Sequence, residues 1–324
     1  MPGHKTTAKK TSSKLMRSRT SAKKMTPATL CLRYELTNSN TPDTETSHYI
    51  DLARDLSRVN RRLYRQGRDY HVKRITIVSS NTPNGQNRVS FSTIDTGWVS
   101  QQAWKRGFMT WQEMNKTATQ NLSGDVSGTW EDFKVYLSNE MRGGTILLPK
   151  DNGGNNYNAG EWIYSEMVSP DGTTGANPFQ LHMLGDHSGL AGAWNSVGLV
   201  KSYGESRPTV QTTDPSVPLV AKDDPLANVF DYGTTVDEVI GNLQDYNDAP
   251  PYSVVNYPGD ENNAPKPIVV QDTTIVDGKS TVGGFRARCG LIEIESKSPI
   301  GGDVYSVLVE LAPGKYRGVK AEVI

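Results

Sequence analysis

The chain has 324 residues, with 35 Lys/Arg balancing 35 Asp/Glu, 30 Gly and 18 Pro. That length can bury a sizeable core as one large β domain or two ordinary ones, and the Gly and Pro content points to many turns. No apolar run approaches the roughly 18 residues needed to span a bilayer, and no apolar stretch follows the basic N-terminus, so neither a membrane helix nor a secretory signal is expected.

The neutral total conceals a separation of charge. Residues 1–24 carry eight cations (Lys5, Lys9, Lys10, Lys14, Arg17, Arg19, Lys23, Lys24) and no acid. Residues 53–74 hold eight more against Asp55 and Asp69, whereas residues 205–277 contain 13 Asp/Glu against Arg207, Lys222 and Lys266. A basic end and a distant acidic stretch suggest a protein with one side facing a polyanion.

Residues 1–27, rich in Lys, Ser and Thr, read as a disordered arm ending at Pro27. Ordered structure is expected at once afterwards, where Leu30, Leu32, Tyr34 and Leu36 alternate with polar positions at the period of a half-buried strand. A helix over 49–66 places Leu52, Leu56, Val59 and Leu63 on one face and ends at Gly67. Further strands are expected at 72–79, 88–94, 132–138, 161–168, 179–184, 197–203, 285–295 and 304–311, with Gly-containing turns such as Gly143-Gly144 and Gly301-Gly302 as breaks. A second helix over 101–118 aligns Trp104, Phe108, Trp111 and Ala118, weakened by Gly107. A third over 236–246 opens with a Thr235/Glu238 capping box. The Pro- and Asp-rich remainder of 205–277 reads as an acidic surface-loop region. Nine strands without βα alternation argue for an all-β sandwich or jelly roll.

Chemistry is hard to find. Gly278-Lys279-Ser280 lacks the glycine that a phosphate-binding loop needs five residues earlier, where Thr273 stands, and reads as a surface turn. Asp186, His187 and Ser188 are the residue types of a hydrolase triad, but adjacent residues cannot face one another as a triad must. His182 could join Asp186 and His187 around a metal, yet no spacing rule supports it. Glu293 and Glu295 share one strand face, expected to be solvated. Cys31 and Cys289 read as reduced cysteines on strands. No catalytic residue, metal or cofactor is expected, and the chain reads as a non-enzyme.

Two basic surfaces remain. The arm can neutralise phosphates without fixed structure, releasing counterions in a sequence-independent, salt-sensitive way. Its Lys9-Lys10 and Lys23-Lys24 pairs also suit host nuclear-import machinery, while the absence of an accompanying Trp, Phe or long apolar face argues against membrane anchoring. On the first helix, Arg54, Arg58, Arg61 and Arg65 recur at i, i+4, i+7 and i+11 as one stripe, with Arg62 beside it. Tyr64 and Tyr70 lie near enough to stack on bases. The alternatives for this stripe are pairing with carboxylates of a neighbouring subunit and plain solvation.

Several segments resemble capsid proteins of small circular, Rep-encoding single-stranded DNA viruses. They are Ile50–Arg54 with Asn60–Gly67, Gly97–Val99 through Trp111–Lys116, Trp130–Tyr136, Ala159–Trp162 and Cys289–Glu295. The likeness spans roughly residues 30–312 and is nearer to unclassified environmental members than to circoviruses, whose arms are dominated by arginine. It implies a single viral jelly roll of eight antiparallel strands over residues 28–324, with short helical insertions. It also implies self-assembly into an icosahedral shell and an inward-facing arm that packages single-stranded DNA. The expected locations are the virion and, during assembly, the host nucleus. Competing expectations are a capsid of the same fold around RNA, a lectin-like β-sandwich with a nuclear-import tail, and a metal-dependent hydrolase using His182 and His187.

Overall fold

The computed structural model describes residues 27–80, 87–120, 130–157, 160–168, 178–190, 193–206 and 267–324. In chain order the elements begin β1 (Cys31–Thr37), β2 (Thr46–Asp51), α1 (Leu52–Asn60), β3 (Arg68–Ser79), β4 (Arg88–Thr93) and α2 (Trp98–Gln120). Next come β5 (Tyr136–Ser138), α3 (Asn139–Gly143), β6 (Thr145–Ile146), β7 (Glu166–Val168), β8 (Pro178–Leu184), β9 (Ser188–Leu190), β10 (Ala193–Gly198) and α4 (Leu199–Glu205). The last part holds β11 (Ile268–Thr274), β12 (Lys279–Val282), β13 (Phe285–Ala287), β14 (Leu291–Lys297) and β15 (Val304–Leu311). The short strands β16 (Pro313–Gly314), β17 (Gly318–Val319) and β18 (Ala321–Val323) close the chain.

Two antiparallel sheets form a sandwich. One has the order β1-β15-β3-β12, with β13 and β18 also pairing with β3; the other has the order β11-β4-β14-β2, extended by the parallel β6. Period-2 alternation supplies the core between them, because successive side chains leave a strand on opposite faces. Leu32, Tyr34 and Leu36 of β1 and Tyr305, Val307, Val309 and Leu311 of β15 point inward from the first sheet. Val89, Phe91, Ile292 and Ile294 meet them from the second. The pairing of β3 with β15 shifts register at Glu310/Leu311, which leaves Lys73 and Arg74 side by side on the outside. The inward set of β3 therefore changes parity, from Tyr70 and Val72 to Ile75 and Ile77.

Apart from β6 and Leu147, which join the sandwich, most described residues between β4 and β11 form an insertion with a second core. There β5, β8, β10 and β9 form a third, mixed sheet, with β7 also on β8. α2 and α4 pack over it through Trp104, Phe133, Leu181, Leu184, Leu199 and Tyr203. Gly107 lets these two helices approach, since a Cβ there would lie 3.0 Å from a Leu199 methyl. The insertion leans on the sandwich where Tyr49 and Leu291 turn away from the first core into the second.

Several expectations are corrected. The helix expected over 49–66 begins as strand β2 and lasts only from Leu52 to Asn60, because Asp51 caps its start and Arg61 enters the left-handed region at φ 52°. Gly67 is not its terminus; it sits against Trp104, whose ring a Cβ would meet at 2.5 Å. The strand expected at 197–203 stops at Gly198 and continues as α4, which buries Leu199, Val200 and Tyr203 on one helical face. The run 285–295 is broken by a single tight turn, Arg288–Gly290, so buried Cys289 is not on a strand, whereas Cys31 is; both thiols are free. The strands expected at 132–138 and 161–168 survive only as β5 and β7. Within 205–277, Ile268–Thr274 is the edge strand β11, not loop. Ala118 is exposed, so the apolar face of α2 ends near Met114. Most of the arm, the helix expected at 236–246 and residues 207–266 of the acidic region lie outside the described residues.

Candidate nucleic-acid interface

The arginine stripe does not exist as a stripe, because α1 ends at Asn60. Arg54 is buried, its Nε 2.8 Å from Asp55 Oδ1 and its Nη2 on the carbonyl of Leu147. Tyr34 donates its hydroxyl to the other oxygen of Asp55 at 2.8 Å, so Arg54 is an interior residue with no surface to offer a phosphate. Arg65 lies beyond the helix, with Nη1 2.8 Å from Asp132 Oδ1. Tyr64 and Tyr70 are fully buried and donate to the carbonyls of Arg317 and Arg65, so neither ring can stack on a base. Arg58, Arg61 and Arg62 are the three of the five that remain together at a surface, at the end of α1. Lys5, Lys9, Lys10, Lys14, Arg17, Arg19, Lys23 and Lys24 lie outside the described residues.

Behind this corner is a buried polar junction. Asp51 accepts the backbone N–H of Arg54 at 3.0 Å, the side-chain amide of Gln66 at 2.9 Å, the indole N–H of Trp162 at 3.0 Å and the hydroxyl of Tyr164 at 3.2 Å. One carboxylate thus caps α1 and holds the insertion to the sandwich. Burial pushes its pKa upward against the pull of Arg54 and these donors. Gln66 accepts the N–H of Val135 at 2.7 Å, which fixes the start of the third sheet.

The junction shapes two clefts on either side of Trp162. The larger, about 830 Å³, lies between α1 and the 151–157 turn, with Arg58, Arg61, Tyr157 and Trp162 in its wall. The smaller, about 520 Å³, is bounded by Arg61, Arg62, Trp130, Lys134, Trp162 and Ile163. Lys134 Nζ sits 4.9 Å from the Trp162 ring centroid, while Trp130 is 70% exposed. Cations beside accessible aromatic faces are what single-stranded nucleic acid uses, phosphates on the former and bases on the latter. The N-terminal segment joins the fold at the same corner. Arg62 Nη1 donates to the carbonyl of Pro27 at 3.3 Å, and Asn60 exchanges hydrogen bonds with the backbone of Thr29 at 2.7 and 3.2 Å.

The other candidates are structural. His182 is fully buried between Ser196 Oγ, 2.6 Å from Nδ1, and the carbonyl of Asp186, 2.9 Å from Nε2; burial lowers its pKa to about 4. His187 accepts the N–H of Gly198 on Nδ1 and reaches Glu205 with Nε2, so Asp186, His187 and Ser188 build no triad. Among the described residues no three His, Cys, Asp or Glu are placed to hold a metal. Of Gly278-Lys279-Ser280 only Gly278 lies in the β11–β12 turn, with positive φ there and at Asp277; Lys279 and Ser280 open strand β12 instead of continuing the turn. Glu293 is buried instead of solvated, accepts the Tyr49 hydroxyl at 3.1 Å, and has its pKa raised by that burial.

Trp162, Trp130, Lys134 and Tyr157 belong to this surface but carry little sign of it in the sequence. Lys134 and Trp162 fall in segments expected as strands and Trp130 in a segment of the resemblance, but all four lie in irregular stretches of the fold, where no period places their side chains together. No family model, curated protein or solved structure matches this chain.

Proposed function

We propose that the protein is a viral capsid subunit that assembles into an icosahedral shell and packages single-stranded DNA through its basic N-terminal segment. The observation that carries this reading is the strand order. Numbered along the chain, the eight main sandwich strands (β1, β2, β3, β4, β11, β12, β14, β15) stand as 1-8-3-6 in one sheet and 5-4-7-2 in the other. That order fits a jelly roll, an architecture used by viral shells and lectins. The attachment of the eight-cation segment at Pro27, beside Arg61 and Arg62, favours the shell over the lectin, because it gathers positive charge on one side.

The role is structural instead of catalytic. Copies pack through sheet edges and loops under closed symmetry, and about 60 of them gather about 480 arm cations against the genome. The lysine pairs of the segment suit nuclear import, consistent with assembly in a host nucleus. Electron microscopy of the purified full chain with single-stranded DNA tests this: closed shells are expected, with binding that weakens steeply as salt rises. Replacing the eight arm cations by serine should flatten that salt dependence, by about 0.7 in log–log slope for each phosphate no longer neutralised. A protein that stays monomeric at every ionic strength and binds DNA without salt sensitivity would sink the reading. Resistance of the packaged strand to deoxyribonuclease but not ribonuclease, after shell disruption, would instead mark an RNA genome.

A further inference from the structure

The cleft between α1 and the 151–157 turn holds a guanidinium that the fold leaves unsatisfied. Arg58 Nε and Nη1 are buried yet have no hydrogen-bond partner among the described residues. The neighbouring carboxylates do not supply one. Asp55 is taken by Arg54 and Tyr34, Asp151 accepts the N–H of Asn155 at 2.8 Å, and Glu161 is exposed on the rim. On this half-buried cation, two donors out of reach of any partner are held at a cost that a bound anion would relieve. Burial and the nearby Arg54 also lower the basicity of Arg58, as expected for a cation waiting for an anion.

We propose that this cleft seats one phosphate of a single-stranded nucleic acid, with Arg58 as the inner contact and Arg61 as the outer one. The identity of the occupant rests on the packaging reading; the anion seat itself does not. Its volume of about 830 Å³ falls within the range of small-ligand sites, roughly 300–1,000 Å³. Arginine suits the task because its planar fork matches phosphate oxygens. Asp151 and Glu161 also line the cleft and repel a phosphate placed against them, which confines the seat to the α1 side. Tyr157 and Trp162, in the same wall, flank the position where an attached base would lie. The seat is separate from the arm in sequence and takes no residue from it.

The test uses the full chain with its eight arm cations replaced by serine, so that binding by the arm does not mask the cleft. Pentathymidylate is titrated by calorimetry at low salt, with inorganic phosphate as competitor, in this parent and in its Arg58→Gln derivative. The expected result is binding by the parent that millimolar phosphate reduces, and at least a tenfold loss in Arg58→Gln. The thermal midpoint of Arg58→Gln should equal or exceed that of the parent, because two buried donors without a partner have been removed. Failure of the parent to bind, or equal binding by both proteins, overturns the proposal. So does a variant that binds normally but no longer assembles, which would assign Arg58 to a neighbouring subunit's carboxylate. Electron microscopy of the wild-type chain with single-stranded DNA separates the two readings. Shells without cleft binding reject the seat alone, and cleft binding without shells rejects the packaging role alone.

Discussion

His182 shows how burial converts an ordinary titrating group into a pH-dependent contribution to stability. Its Nε2–H donates to the carbonyl of Asp186 and its Nδ1 accepts from Ser196, so the folded protein holds the neutral ring. In the unfolded chain a histidine takes up its proton near pH 6.5, whereas in the fold it does so at about 4. The unfolded state therefore binds more protons between these values, and stability falls as pH drops through the window, by up to about 3 kcal/mol. Urea unfolding at pH 7.5 and pH 5 is expected to show this loss in the wild type. His182→Gln should be less stable than wild type at pH 7.5, by about 1–3 kcal/mol, and the gap should narrow at pH 5. Comparing the two proteins isolates His182 from His48, whose burial acts in the same direction. A gap that is constant with pH would refute the assignment. In the sequence His182 is legible as a residue of the expected strand 179–184 and as a candidate metal ligand; the bonds that fix its tautomer come from β10 and a turn, which no local pattern specifies.

Among the elements, α1 separates what periodicity can and cannot establish. The spacing of Leu52, Leu56 and Val59 is helical, and the helix is there. The same spacing extended to Leu63 and Arg65 also fits a helix, and that extension fails. Asp51 satisfies the first turn from outside the periodic run, and Arg61 adopts φ 52° with its N–H on the Ser57 carbonyl. Ser57 Oγ then accepts the N–H of Tyr64 at 2.7 Å, tying the following turn back onto the helix. A left-handed residue with a Cβ is strained, so Arg61→Gly is expected to stabilise the protein by about 0.5–1 kcal/mol, read from the urea midpoint. Were residues 49–66 one continuous helix, glycine at 61 would lower stability by a similar amount. The sign of the change therefore decides between the two. α4 carries the same lesson: Val197, Leu199 and Tyr203 alternate like a strand, but a Cβ at Gly198 would lie 2.1 Å from the Gly185 carbonyl, and there the backbone turns into a helix.

Across the molecule as a whole, one buried carboxylate gathers contacts from both the sandwich and the insertion, beside the shared packing of Tyr49 and Leu291 and the Arg65–Asp132 pair. Asp51 accepts from α1, from Gln66 and from Trp162 and Tyr164 of the insertion, all within 3.2 Å. Replacing it by alanine removes the helix cap and leaves three buried donors unsatisfied, so Asp51→Ala is expected to cost about 3 kcal/mol or more. The loss should appear in urea unfolding as a lower midpoint, with tryptophan fluorescence of the insertion changing before the far-UV signal of the sandwich. Coincident transitions at the wild-type midpoint would show that the two cores are held together by other contacts. This junction also stands behind both clefts beside Trp162, so the surface on which the nucleic-acid proposal rests depends on a buried residue that never touches it.

The all-β character, the inward residues of β1, β4 and β15, the long helix α2 and the uneven placement of charge are legible in the amino-acid order alone. These follow from period-2 and period-3.6 patterning and from composition, which are local properties. Where β3 changes parity, where α1 ends and which arginines are free at a surface emerge only once the chain is folded. So does the root of the basic N-terminal segment beside Arg61 and Arg62. Beyond its pair with neighbouring Asp55, Arg54 donates to the distant Leu147 carbonyl, and Arg65 pairs with Asp132, partners that only folding brings within reach. A row of arginines in sequence therefore became one buried cation, one tied to a distant carboxylate, and a corner of three that remain at a surface.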